Sequence, residues 1–164
     1  MTQRFGWGHI NINVKDLDAS VGFYQKLGFG VFIPGIPYLD LNTEQPNAMP
    51  ADAAAALGVP PGTVGRACIM QLNTGFPKID LTELAGIEQR EPLQNSDRGL
   101  VRLCLVSQDL AADYEHLKSQ GVEFLSPPET CHQRMADLAT CRDPDGTLIE
   151  LLQVHLDRWP PIPG

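Results

Sequence analysis

The side chains able to do chemistry are few in this sequence, and strand alternation positions the best of them. His9 opens HININV, where Ile10, Ile12 and Val14 take one face and His9, Asn11 and Asn13 the other. Glu150 lies between Ile149 and Leu151 in LIELLQ and points away from the apolar side in the same way. Arg102 opens RLCLV, where Leu103 and Leu105 turn it to the opposite face. An imidazole or a carboxylate can exchange protons or bind a cation. A guanidinium is permanently charged and has no lone pair to give. Asn11 and Asn13 can hold a ligand's carbonyl or hydroxyl, or equally cross-link neighbouring strands. Of the other histidines, His116 reads as a surface or partly buried helix residue, His132 as a loop residue and His155 as a solvated one.

Competing chemistries lack their motifs. There is no GxxxxGK[ST] phosphate loop, no GxGxxG after a strand, no GxSxG elbow and no HExxH helix. The cysteines (Cys68, Cys104, Cys131, Cys141) show no CxxC spacing and read as isolated reduced thiols of a cytoplasmic protein. Twelve Lys+Arg against twenty Asp+Glu give a net charge of -8, which disfavours nucleic acid and anionic membranes as partners. No window approaches the roughly 18 apolar residues of a membrane span. The start, MTQRFGWGHIN, lacks the apolar run of a secretory signal, so none is expected.

The elements that must carry these residues form a repeat. His9 to Leu27 aligns without a gap on Arg102 to Gln120, with Asp16-Leu17 falling on Asp109-Leu110 and Gly28 on Gly121. Each half runs from an alternating strand through an Asp-Leu turn into a helix that Gly stops. In the first helix Val21, Tyr24 and Leu27 recur at the core-facing spacing. Three strands follow in each half: at Val31-Phe32, Arg66–Leu72 and Lys78–Leu84, then at Val122–Leu125, Met135–Arg142 and Leu148–Val154. Asp143-Pro144-Asp145-Gly146 makes the final hairpin turn. The pattern predicts an α+β fold of two βαβββ modules, at 5–88 and 97–155, with a Pro-rich tail at 156–164 whose residues 158–164 are expected to lie extended. A ferredoxin-like arrangement would leave the last strand of each half without a place.

The first half is longer: 52 positions separate Gly28 from Asp80, and 29 separate Gly121 from Glu150. The 23 extra residues lie within 33–65. There Pro50, a run of alanines and Gly58 predict a short helix. A segment of this length serves as a lid, a binding loop or an interface, or else as a solvent-exposed decoration.

The paired modules, the GHI of the first strand, DLDASVGFYQKLGF and RDPDGTLIELLQ together resemble the vicinal oxygen chelate superfamily. That group includes glyoxalase I, extradiol dioxygenases, methylmalonyl-CoA epimerase and the fosfomycin and bleomycin resistance proteins. The resemblance spans about residues 5 to 155. It implies curved mixed sheets around a cleft, where one first-strand and one last-strand position of each module meet to hold a divalent ion. Carried over, these positions are His9, Arg102, Asp80 in KIDLTEL, and Glu150. A slipped register, matching Val14 to Val106, would send Arg102 in among apolar residues, where an unpaired guanidinium is costly.

The resemblance therefore implies His9, Asp80 and Glu150 as ligands for zinc, nickel or manganese, with Arg102 at the fourth position. Arg102 departs from the pattern. It repels a metal, pairs with Glu150 or Asp80 in its place, or swings toward a substrate carboxylate, and it puts iron-dependent ring cleavage in doubt. What is implied is lyase or isomerase chemistry on a small oxygenated molecule. His9, Glu150 and Arg102 would be the catalytic groups, and Asn11, Asn13 and Arg102 would hold substrate. The alternative is a metal-free binder that sequesters an antibiotic-like ligand, as bleomycin-resistance relatives do. A divergent dioxygenase is a more distant reading. For His9 a purely structural, hydrogen-bonded role stays open. Sheet edges and the apolar insertion point to a homodimer.

Overall fold

A computed structural model describes residues 4–161, which fall into two compact units divided between Arg90 and Glu91. The first contains β1 (His9–Val14), α1 (Leu17–Lys26), β2 (Gly30–Ile33), β3 (Gly35–Ile36), β4 (Leu41–Asn42), β5 (Asn47–Ala48), α2 (Ala51–Leu57), β6 (Val64–Gln71) and β7 (Lys78–Ala85). The second contains β8 (Arg102–Val106), α3 (Leu110–Ser119), β9 (Glu123–Phe124), β10 (Glu129–Thr130), β11 (Ala136–Arg142) and β12 (Leu148–Val154). Each principal sheet sets its first strand parallel to its last: β1 beside β7 and β8 beside β12. The neighbours then run β1-β7-β6-β2 and β8-β12-β11-β10, with β9 also on β11. This is the βαβββ pattern twice, in two mixed sheets.

The two registers match residue for residue. His9 lies opposite Lys78 and Asn11 opposite Asp80, while Arg102 lies opposite Leu148 and Cys104 opposite Glu150. The ungapped alignment of the repeat is thereby the structural one. On β1, Ile12 and Val14 are buried and His9, Asn11 and Asn13 are exposed. Ile149 and Leu151 of β12 are buried on either side of Glu150.

Each module helix starts on a side-chain cap. Asp16 accepts a hydrogen bond from the Ala19 amide at 3.0 Å, and Asp109 one from the Ala112 amide at 3.1 Å. A second acceptor reaches each helix from the sheet. Glu83 Oε2 takes the Leu17 amide at 2.6 Å, and Gln153 Oε1 takes the Leu110 amide at 2.8 Å. Two otherwise orphaned amides per helix are satisfied in this way. Docking Leu17 against Glu83 also sets the helix phase. The buried stripe is Leu17, Ser20 and Tyr24 with Phe23, whereas Val21 and Leu27, expected in the core, are only half-buried. Leu17 and Tyr24 close over Val14, Cys68, Met70 and Leu81, all nearly inaccessible to solvent.

The insertion builds a second core on the other face of the first sheet. Ile36, Leu39, Leu41, Met49 and Ala54 pack on Ala67 of β6, with Val59, Ile69 and Leu84 at the margin. Burying such side chains contributes roughly 1.5–3 kcal/mol each, so this segment is folded in rather than a surface decoration. The expected short helix is α2, with Pro50 at its N-cap and Gly58 closing it at φ 67°. Gly65 permits the closest approach: a Cβ there would stand 2.4 Å from the Glu83 carbonyl oxygen of β7.

The Pro-rich tail opens on a turn and continues into extended backbone at Trp159. Leu156–Arg158 forms a 3₁₀ turn, and Trp159 Nε1 donates to the Met135 carbonyl at 2.9 Å. Residues 162–164 of that tail lie outside the described residues. Among the described residues, no helix is long and apolar enough to cross a membrane. All four cysteines carry free thiols.

Candidate functional site

The face of β1 and β7 turned to the insertion carries a cavity of about 410 Å³. Its floor is His9, Asn11 and Asn13 of β1 with Asp80, Thr82 and Leu84 of β7, and its walls are Tyr38, Leu39, Met49, Leu57 and Val59 of the insertion. The elements follow from the local sequence: alternation turns residues 9, 11 and 13 to one side, and the parallel register sets 80 and 82 beside them. Pro37 opens the 3₁₀ turn that carries Tyr38 and Leu39.

Asp80 is the buried polar centre. Its side chain is 2% exposed, and Oδ2 lies 3.5 Å from Nε2 of His9, whose own side chain is 44% exposed. The Tyr38 phenol also lies near this carboxylate, and both line the cavity. Asp80 Oδ1 is buried with no hydrogen-bond partner among the described residues. Burial pushes the Asp80 carboxyl above the ordinary Asp range, with His9 and the Tyr38 hydroxyl pulling the other way. The Tyr38 phenol is raised by its own burial and then by Asp80. Around this centre the remaining polar groups bind one another. Thr82 Oγ1 donates to Asn11 Oδ1 at 2.7 Å, and Asn11 Nδ2 donates to Asn13 Oδ1 at 2.9 Å. The Thr82 bond joins Asn11 of β1 to β7, and the Asn13 bond lies within β1.

In the second unit Arg102 donates through Nε to Glu150 Oε2 and through Nη1 to Asn95 Oδ1, the latter at 3.1 Å. The Glu150 side chain is 14% exposed and that of Arg102 43%. Beside them the Cys104 thiol is raised by burial and by Glu150. The Glu150 carboxylate is thus neutralised by a fixed cation within its own unit. This donor set does not suit a divalent ion. Tight catalytic sites bring about three His, Cys or carboxylate ligands together. Among the described residues no three such side chains are grouped to hold one. His9 and Asp80 form a pair, and Glu150 is already engaged by Arg102.

The other histidines lie elsewhere. His116 is exposed on α3, where Nε2 meets Gln120 at 3.3 Å, and His132 is exposed in a 3₁₀ turn. His155 departs from its solvated reading: Nε2 lies 2.8 Å from Asp137 Oδ2, while Thr130 donates to Oδ1 of the same carboxylate, and the His155 side chain is 21% exposed. Sequence reasoning missed the pocket walls Tyr38, Met49, Leu57 and Val59. The one available signal was the apolar content of an insertion too long for a plain turn.

The family model described as the Glyoxalase/Bleomycin resistance protein/Dioxygenase superfamily matches residues 6–151. A lactoylglutathione lyase of Pseudomonas aeruginosa is 26% identical across 96% of this chain and 87% of that protein. Among solved structures, a glyoxalase family protein from Bacillus cereus superposes with a TM-score of 0.72 at 16% identity, covering 93% of this chain and 96% of that one. Glyoxalase I from Zea mays superposes with a TM-score of 0.60 at 19% identity, and covers 88% of this chain but 43% of the maize protein. At these identities the structural likenesses establish the fold.

Proposed function

The chain belongs to the Glyoxalase/Bleomycin resistance protein/Dioxygenase superfamily, and within it we propose a metal-independent proton-transfer enzyme of the lyase or isomerase kind. Its substrate is a small oxygenated organic molecule bound in the first unit's pocket. The observation that carries this reading is the His9–Asp80 pair: an accessible imidazole 3.5 Å from a buried carboxylate on the floor of a mostly apolar cavity. With its Nε2 turned to Asp80 Oδ2, His9 removes a proton through Nδ1 from the carbon beside a carbonyl, and Asp80 holds the resulting imidazolium. Return of the proton to the neighbouring carbon completes an isomerisation. Tyr38, which lines the same cavity, supplies a hydroxyl donor for the substrate's oxygen. The engagement of Glu150 by Arg102 supports chemistry without zinc, nickel or manganese, since the carboxylate's charge is already taken up. Arg102 and Glu150 then serve as a fixed ion pair of the second unit.

A second reading, ligand sequestration without turnover, draws support from the apolar walls and the self-satisfied amides. A ligand screen by thermal shift, followed by chromatography of each stabilising compound after incubation, separates the two. Consumption that Asp80→Asn and His9→Gln abolish supports the enzyme. Stabilisation without consumption favours the binder. Assembly as a homodimer belongs to the same proposal, supported by the exposed Phe5, Trp7 and Phe76 side chains. Sedimentation velocity at micromolar concentration tests it, a monomer counting against it.

A further inference from the structure

Charge and hydrogen-bonding capacity in the first unit's pocket narrow the ligand class. Among the described residues no Lys or Arg lines the cavity, and the one carboxylate that does is buried. Five of the lining side chains are aliphatic or thioether: Leu39, Met49, Leu57, Val59 and Leu84. Thr82 Oγ1 donates to Asn11 Oδ1, and Asn11 Nδ2 donates to Asn13 Oδ1. Asp80 Oδ1 is left as a buried acceptor without a donor among the described residues. A buried acceptor left unsatisfied is costly, and a ligand that brings a donor removes that cost. A ligand carboxylate or phosphate would place a second negative charge beside Asp80 in apolar surroundings, with one imidazole to offset both.

We propose that the pocket selects uncharged, largely apolar molecules that present a hydroxyl to Asp80, and discriminates against carboxylates and phosphates of the same skeleton. This rests on the pocket being the functional site, as proposed above, and adds its substrate class. The insertion is the selecting element, because it supplies the aliphatic walls and Tyr38. A cavity of about 410 Å³ lies toward the small end of small-molecule sites, which suits a single ring or a short branched chain rather than a peptide conjugate.

The test uses matched probes on the purified full-length protein: phenacyl alcohol against phenylglyoxylate, benzyl alcohol against benzoate, and cyclohexanol against cyclohexanecarboxylate. Affinities are read by ligand-observed NMR for the wild type, Asp80→Asn and Leu57→Trp. Leu57 is 56% exposed on α2, so a larger ring there fills the cavity without disturbing the core, and circular dichroism verifies the fold. The hydroxyl member of each pair should bind about tenfold tighter or better, equivalent to ~1.4 kcal/mol. Leu57→Trp should weaken that binding, and Asp80→Asn should bring the two members of a pair together. Carboxylates binding as well as the alcohols, with both sensitive to Leu57→Trp, would overturn the ligand class and leave the pocket standing as the site. Absence of binding by every probe, or binding indifferent to Leu57→Trp, would overturn the class and the site together.

Discussion

Asp80 and Glu150 occupy the same register position on the last strands of the two units, opposite Asn11 and Cys104, yet they have opposite partners. Asp80 faces an imidazole and a phenol, both able to release a proton, and keeps one oxygen unpartnered among the described residues. Glu150 is bound by a guanidinium that never does. Two copies of one module have thus diverged into a carboxyl poised for exchange and a carboxylate locked in an ion pair.

The raised Asp80 carboxyl has a stability consequence. A native state that favours the protonated form is stabilised below the ordinary Asp value, and loses that contribution as pH rises through the folded value. At neutral pH the ionised group burdens the fold. Asp80→Asn should therefore be more stable than wild type by roughly 1 kcal/mol at pH near 7.5, with the gain vanishing below about pH 4. Urea unfolding at the two pH values measures this, and a destabilised variant at neutral pH would refute it.

Glu83 should behave in the opposite sense. Arg66 donates to it from Nε at 3.2 Å and from Nη2 at 2.9 Å, and holds its carboxyl below the usual range, helped by the Leu17 amide. Its contribution is present above the ordinary Glu value of 4.5 and is lost as pH falls through the lowered folded value. Glu83→Ala leaves the Arg66 guanidinium with Asp18 and the Thr43 carbonyl alone and frees a helix amide, and should cost about 2 kcal/mol at neutral pH. The deficit relative to wild type should shrink in acid, as read by unfolding across that window.

The insertion's fold depends on Gly35, where a Cβ would stand 2.7 Å from the Leu41 carbonyl oxygen. Gly35→Ala should destabilise by about 2 kcal/mol and weaken pocket binding. Gly22→Ala is the control: the site lies within α1 with open space around it, and should gain about 0.5–1 kcal/mol. Thermal melts of the two variants should move in opposite directions.

Metal content gives an independent check. Protein produced with zinc, nickel and manganese in the medium should contain far less than one ion per chain by elemental analysis, and chelation should leave its melting temperature unchanged. Arg102→Met should cost about 1 kcal/mol, a modest figure because the guanidinium is 43% exposed. A stoichiometric metal lost together with stability on chelation would mean that Glu150 is not committed to Arg102 as described.

The fold was legible because it is periodic. Alternation around Ile10 and Ile149, the Asp caps and the repeat offset all pointed one way, and the registers of β1 with β7 and β8 with β12 follow them. His9, Arg102 and Glu150 could be named for the same reason, whereas Asp80 came from the family resemblance. The pocket could not be. Its walls come from Tyr38, Met49, Leu57 and Val59, aperiodic residues whose convergence depends on how the insertion packs over Ala67. The caps Glu83 and Gln153 were overlooked although each stands three residues beyond its counterpart, Asp80 or Glu150, in the repeat.

The central claim is metal-independent proton transfer by the His9–Asp80 pair, and deuterium incorporation from heavy water tests it most directly. Phenacyl alcohol carries an exchangeable carbon-bound proton beside its carbonyl, and proton NMR follows its loss in the presence of chelated protein. The account predicts exchange above the buffer rate that chelation leaves unchanged. It also predicts that His9→Gln and Asp80→Asn each slow exchange by about 100-fold or more. Exchange that requires added zinc, nickel or manganese, or that survives in both variants, would contradict it.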